Sequence, residues 1–170
     1  LGLYKNSIVQ IEPYSFNGSF KLVNLYLAGN KMNSLEPKCL NGMKKLKSID
    51  LSYNKFTSIQ YGLFFGLEML EDINLSYNQL TVIDLTTFLD LAQLKELDLS
   101  YNKIAFIHPY ALFNSRKLKS LYLNTNELTS FHPNLFKNLQ SLQTLRLVNN
   151  SITSIDFSIL KKFQSLDFSI

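Results

Sequence analysis

The chain has 170 residues, 46% of them apolar and 18% charged, which suffices to bury a core and excludes general disorder. Six glycines and four prolines exclude collagen-like and linker-rich chains, and no apolar run reaches the roughly 20 residues of a membrane span. A formal net charge of +4 is too small to argue for nucleic acid, and one cysteine, Cys39, excludes an internal disulfide framework or a multi-cysteine metal site.

Taken in chain order, the residues fall into units of 24. The first carries Asn6, with Ile8, Ile11 and Phe16 two, five and ten residues later. The same spacing returns at Asn30 with Met32, Leu35 and Leu40, and at Asn54 with Phe56, Ile59 and Phe64. It returns again at Asn78 with Leu80, Ile83 and Phe88, and at Asn102 with Ile104, Ile107 and Leu112. Asn126 brings Leu128, Phe131 and Phe136; Asn150 brings Ile152, Ile155 and Leu160. A further column, thirteen after each Asn, holds Met43, Leu67, Leu91, Leu139 and Phe163. Ser19 and Ser115 break it, with Phe113 as the expected compensating residue. After Leu166 the pattern either fades, since Ser169 stands where a large apolar residue is due, or shifts to Phe168.

Ahead of each Asn the pattern is LxxLxLxxN, as in Leu94, Leu97, Leu99 and Asn102. Its alternation requires a short strand with one buried face. The Asn amide both donates and accepts, so a stack of asparagines can satisfy backbone groups that the turn leaves unpaired. No unit of this size can bury its apolar side alone, so the units must stack as a solenoid with a parallel sheet. The repeat spacing of about 4.8 Å makes seven units an arc of roughly 30 Å or more.

This motif resembles the leucine-rich repeat family. The 24-residue length, with stretches such as Leu51-Ser52-Tyr53-Asn54 and Leu99-Ser100-Tyr101-Asn102, is similar to the "typical" subtype found in Toll and Toll-like receptor ectodomains and in secreted innate-immune proteins. The resemblance implies an α/β fold class: a right-handed, curved leucine-rich repeat solenoid, its parallel β-sheet concave and its convex side irregular or built of short helical or 3-10 segments. It implies one domain over residues 1–170, of about seven repeats. Extracellular members usually carry cysteine-rich caps, and this chain has no cap motif. The expectation is therefore either an internal part of a longer ectodomain or capping by something unusual, with any secretion signal or membrane span lying outside these residues.

Residues between the strand leucines face solvent on the concave side. One column reads Asn24, Ser48, Asp72, Glu96, Ser120, Thr144; the next reads Tyr26, Asp50, Asn74, Asp98, Tyr122, Arg146. Beyond the strand comes Gly29, Tyr53, Tyr77, Tyr101, Thr125, Asn149. Asp50, Glu71, Asp72, Glu96 and Asp98, against Lys47 and Lys95, make the centre of this face acidic in a basic chain. The expected ligand-binding residues are Asp50, Tyr53, Asp72, Asn74, Tyr77, Glu96, Asp98, Tyr101, Tyr122 and Arg146. Tyrosines supply rigid amphipathic contact area, and complementary charge speeds and selects association. The alternative is that the acids and SYN segments only shape the turn.

Three N-x-S/T sequons, at Asn17, Asn74 and Asn149, are glycosylation candidates, Asn17 on the outer return and Asn74 on the concave strand. His108-Pro109 and His132-Pro133 occupy equivalent positions, read either as a pH-sensing pair or as duplicated turn residues. Cys39 reads as a core thiol. Lys38, Lys44, Lys45, Lys137, Lys161, Lys162 and Arg116-Lys117 lie outside the strands without forming a basic stripe, which argues against nucleic acid.

The function expected is non-enzymatic protein–protein recognition by part of an extracellular innate-immune or Toll-like receptor ectodomain. The expected partner is a protein ligand or co-receptor, with homo- or heterodimerisation compatible. The alternative is adhesion or a structural role through self-association or matrix contact, which apolar patches on an exposed flank would favour. No nucleophile–base motif, phosphate loop, metal-ligand cluster or pocket-forming insertion is present in the sequence, so no catalysis, metal or cofactor is expected.

Overall fold

The computed structural model describes residues 1–154, Phe163 and, for the backbone, Asp167–Ser169. Seven short strands, Asn24–Tyr26, Ser48–Asp50, Asp72–Asn74, Glu96–Asp98, Ser120–Tyr122, Thr144–Arg146 and Asp167–Ser169, pair in that order into one parallel sheet. Between the first six, the register advances by one full repeat each time: Leu25 faces Ile49, then Ile73, Leu97, Leu121 and Leu145. The last step is one residue shorter, since Leu145 faces Phe168. The shift to Phe168, rather than a fading of the pattern, is what occurs. Each middle residue points inward and its two neighbours outward, as the alternation requires.

The return segments are mostly turns. They also hold a parallel pair of two-residue strands, Val82–Ile83 and Phe106–Ile107, a four-residue helix at Pro37–Leu40 and a 3-10 turn at Pro133–Phe136. Proline at the first position suits both helical turns, because its missing N–H would have been unpaired there anyway. His132 Nδ1 accepts from the Asn134 N–H at 3.1 Å, and His108 Nδ1 accepts from Tyr110 N–H at 3.2 Å. The two histidines are thus duplicated turn caps.

The core is a continuous apolar rod. Met32, Phe56, Leu80, Ile104 and Leu128 are buried in it, as are Leu40, Phe64, Phe88, Leu112 and Phe136. Ile8, Phe16, Ile59, Phe131 and Ile152 are only partly buried against it. Met43, Leu67, Leu91, Leu139 and Phe163 are buried as expected. Ile155, Leu160, Lys161, Lys162 and Leu166 lie outside the described residues. The expectation for Phe113 is corrected: it is 40% exposed. Ser115 itself occupies the inward position, fully buried, and its hydroxyl has no hydrogen-bond partner. A side chain two residues from the column points the wrong way on a turn and cannot replace the missing leucine. Cys39 is buried, with its thiol 3.3 Å from the Ile11 carbonyl oxygen, and burial pushes its pKa up.

The asparagines join one repeat to the next. Asn78 Oδ1 accepts from the Phe56 N–H at 3.0 Å, while its Nδ2 donates to the carbonyls of Leu51 at 3.0 Å and Leu75 at 3.1 Å. Asn54, Asn102 and Asn126 make the equivalent bonds, all as buried side chains. Asn30, equally buried, and Asn150, half-buried, follow them. Asn6 is exposed and donates to the nearby carbonyls of Leu3 and Tyr4, both at 3.1 Å.

Candidate protein-docking face

The concave sheet turns the expected site residues into aligned columns. Asp72 pairs in register with Glu96, and Asn74 with both Asp50 and Asp98. Tyr122 lies beside Asp98 on one side and Arg146 on the other. All ten expected binding residues are therefore on one face, but they fall into regions of different character.

Along one margin, Glu71 sits between Lys47, at 3.1 Å, and Lys95, which also donates a hydrogen bond to it. These bonds hold the Glu71 carboxyl below its ordinary range, the Lys95 contact most of all and then Lys47. Glu71 is therefore ion-paired on both sides. Among the described residues, Asp50, Asp72, Glu96 and Asp98 form no ion pair. Partial burial first, then the negative charge of Glu71, raises the pKa of Asp72. Glu96 is raised likewise by burial, then by Asp72 and Asp98.

The next column shows why the acids are there in part for the fold. Asp50 Oδ1 accepts from the Ser52 N–H at 2.9 Å and from the Ser52 hydroxyl at 2.7 Å. Asp98 with Ser100 and Asn74 with Ser76 repeat the arrangement. In each case a short side chain binds the backbone two residues on, which helps the chain leave the strand. An Asn performs this task as well as an Asp, so the turn does not demand charge at Asp50 and Asp98.

At the opposite margin stand the tyrosines. Tyr53, Tyr77 and Tyr101 have φ of 52°, 54° and 54°, a left-handed conformation uncommon for bulky residues. Each backbone N–H is nonetheless tied to the next repeat, Tyr53 to the Ser76 carbonyl and Tyr77 to that of Ser100, both at 3.0 Å. The repeating ladder thus fixes the conformation and sends the three rings off in parallel. Ring centroids are 4.1 Å apart at both steps, with planes 9° and 8° from parallel. Hydrogen bonds to Tyr101 first and Tyr53 second hold the Tyr77 hydroxyl's pKa well above the ordinary phenol range.

Two depressions mark this face. One, of about 210 Å³, lies over the acid columns and is lined by Asp50, Asp72, Glu96 and Asp98 among others. The other, of about 630 Å³, is lined by Tyr4, Lys5, Tyr26, Gly29, Asp50 and Tyr53, with neighbouring strand residues. Tyr4, Lys5, Tyr26 and Gly29 were not among the residues expected to bind. Their signal was present in the columns: Lys5 and Gly29 are the two positions preceding Tyr53 at intervals of 24.

Of the sequon asparagines, Asn17 is exposed on the return side, and Asn149 is exposed with its amide 3.3 Å from the Thr125 hydroxyl. Asn74 is half-buried on the concave strand. On the return side Phe65, Leu89 and Phe113 repeat at one position in three successive units and are exposed, Phe65 by 73%.

Among the described residues, no helix is long and apolar enough to cross a membrane. A family model described as leucine rich repeat matches the chain in overlapping segments over residues 1–56, 20–80, 45–104, 70–128 and 116–169. No curated protein matches it. Among solved structures, the glycosylated form of the Toll–Spatzle complex of Drosophila contains a chain 24% identical, with a TM-score of 0.76 over 98% of this chain and 26% of that one. A second structure of the same complex gives 22% identity and a TM-score of 0.77, over 98% and 25% respectively. The chain spans about a quarter of the length of those relatives, and at such identity the likeness is one of fold.

Proposed function

Since the chain belongs to the leucine-rich repeat family, we propose that it is a non-enzymatic recognition segment of an extracellular, Toll-like receptor ectodomain. Its concave face docks a basic, amphipathic protein ligand or co-receptor. One observation carries this reading: four acids outside the Glu71 ion pairs lie beside three stacked, exposed tyrosines on a continuous sheet. Long-range charge attraction would bring a basic partner in, and the aromatic edge would hold it. The Toll–Spatzle structures support a protein partner by analogy of fold. A single domain of about seven repeats over residues 1–170 suits this reading. A glycan on the exposed Asn17 leaves the concave face open; one on Asn74 would obstruct it.

The test is binding of the immobilised chain to a panel of purified secreted proteins at low and high salt. The expected binder weakens with added salt. Asp98→Lys and Tyr77→Ala abolish its binding, and Phe65→Ser on the opposite side does not. A binder indifferent to both concave substitutions overturns the proposal. The second reading, self-association or matrix contact, is favoured by the exposed Phe65, Leu89 and Phe113 column. It predicts the reverse pattern, with Phe65→Ser deleterious and salt without effect.

A further inference from the structure

We propose that the position of Gly29 is a missing rung in the tyrosine ladder, and that the slot it leaves receives one aromatic side chain of the protein partner. This inference rests on the recognition role proposed above and names the chemistry of one part of that site.

Lys5, Gly29, Tyr53, Tyr77 and Tyr101 form a single column. Their φ angles are 53°, 67°, 52°, 54° and 54°, so each directs its side chain the same way. Their N–H groups are bonded alike, Lys5 to the Ala28 carbonyl at 2.8 Å, Gly29 to that of Ser52 at 2.9 Å and Tyr53 to that of Ser76 at 3.0 Å. Gly29 therefore has the geometry of a ladder rung and lacks only the ring. With repeats about 4.8 Å apart, the Lys5 and Tyr53 rungs are roughly 10 Å from one another. That separation accommodates one planar group at stacking distance from each wall. The 630 Å³ depression lies there, and both Lys5 and Tyr53 line it. The exposure of Tyr53, 55% against 38% for Tyr77, reflects the face that no neighbour covers.

The backbone does not require glycine, because three tyrosines adopt the same conformation in the following repeats. Nor does crowding require it: the nearest atoms to a Cβ on Gly29 would be the Lys5 Cγ and N, both at 3.4 Å, ordinary contacts. What glycine provides is the empty slot.

The walls select the occupant. An aromatic ring entering it stacks on Tyr53 and places its other face toward the Lys5 ammonium, a cation–π arrangement. A guanidinium would also stack on Tyr53 but would meet the Lys5 charge opposite. An aliphatic side chain gains neither contact. Asp50 lines the slot with Oδ1 engaged by Ser52, so its Oδ2 accepts from an indole N–H or a phenol O–H. The occupant is thus a tryptophan or tyrosine side chain rather than an arginine or leucine.

The experiment titrates the 170-residue chain with N-acetyl-tryptophanamide, following the backbone amide resonances of Gly29 and Ser52. N-acetyl-leucinamide and N-acetyl-argininamide serve as controls. The expected result is saturable ring-current shifts at Gly29, with both controls weaker by about tenfold, equivalent to about 1.4 kcal/mol. Gly29→Tyr supplies the rung, fills the slot and weakens the probe by about tenfold or more, whereas Gly29→Ala stays within about threefold of the parent. Tyr53→Ala, a second variant, weakens the probe comparably and decides the matter if Gly29→Tyr does not fold. Equal binding of the leucine probe, or undiminished binding to folded Gly29→Tyr or Tyr53→Ala, overturns the slot. A silent probe with partner binding still sensitive to Asp98→Lys overturns the slot alone. A bound probe with partner binding insensitive to Asp98→Lys and Tyr77→Ala overturns the docking face alone.

Discussion

Tyr53 and Tyr77 stack face to face with centroids 4.1 Å apart, although each occupies a backbone conformation that disfavours a bulky side chain. The left-handed conformation costs roughly 1–2 kcal/mol at a non-glycine residue. Each aromatic pair contributes about 0.5–1.5 kcal/mol beyond its buried area. Tyr77, with a ring on each side, comes out even or better.

Tyr77→Ala keeps the backbone cost and removes both stacks, so it is expected to destabilise the chain by about 1–3 kcal/mol. Tyr77→Gly removes the stacks and relieves the backbone, so its loss should be smaller by about 1 kcal/mol. Urea unfolding of the two variants checks the order; Tyr77→Gly the less stable of the pair would mean that the left-handed conformation carries no strain.

The raised pKa of the Tyr77 hydroxyl has a consequence at alkaline pH. A phenol whose folded pKa lies above its unfolded value contributes stability fully present below the unfolded value, about 10. That contribution is lost as pH rises from there. Tyr101→Phe removes the larger of the two hydrogen-bond causes and should flatten this alkaline loss. Melting temperatures measured across the phenol range, for parent and variant, decide it.

Asp72 and Glu96 face each other in register, and burial with like charge raises both carboxyls. The folded state then takes up protons at higher pH than the unfolded state. Acidification through the folded pKa and down to the unfolded one therefore relieves a penalty. Asp72→Asn should stabilise the chain at neutral pH by about 0.2–1 kcal/mol, with no gain in acid. An equal increment at both pH values would show that repulsion is not its source. Glu71, whose carboxyl is lowered, acts in the opposite sense: its contribution is lost as pH falls below the unfolded value toward the folded one.

Asn78→Ala removes the acceptor for the buried Phe56 N–H, at about 1–3 kcal/mol, and one of two amide donors from each of the Leu51 and Leu75 carbonyls, which keep Asn54 and Asn102. A loss of about 1–3 kcal/mol is expected, at or below the roughly 2–5 kcal/mol for Leu99→Ala. Asn6→Ala, at an exposed site, should cost under about 1 kcal/mol. Similar losses at Asn6 and Asn78 in denaturant unfolding would contradict the ladder.

Ser115 buries a hydroxyl without a partner where other repeats bury leucine or methionine. Ser115→Ala removes an unpaired polar group at little change in volume and should stabilise the chain by about 1 kcal/mol. Phe113→Ser, at an exposed site, should change stability by less than about 0.5 kcal/mol. Thermal unfolding of both variants tests the assignment of the inward position.

The sequence by itself determined the period, the buried columns and the asparagine ladder, because every internal unit meets the same neighbours and solves the same burial problem. It also determined which residues share the concave face, since alternation along a strand leaves no other choice at Asp50, Asp72 or Glu96. Only the tertiary structure decided how members of a column treat one another. Residues 24 apart in sequence come within about 5 Å only when the units stack. At that distance Glu71 pairs with two lysines, whereas Asp72 and Glu96 face each other as like charges. The sign of φ at Tyr53, Tyr77 and Tyr101 was likewise hidden, because tyrosine does not announce a left-handed turn as glycine does. That conformation aligns the rings into a ladder and makes Gly29 a vacancy in it. A column can be counted from a sequence, but whether its side chains stack, pair or repel depends on distances that exist only after folding.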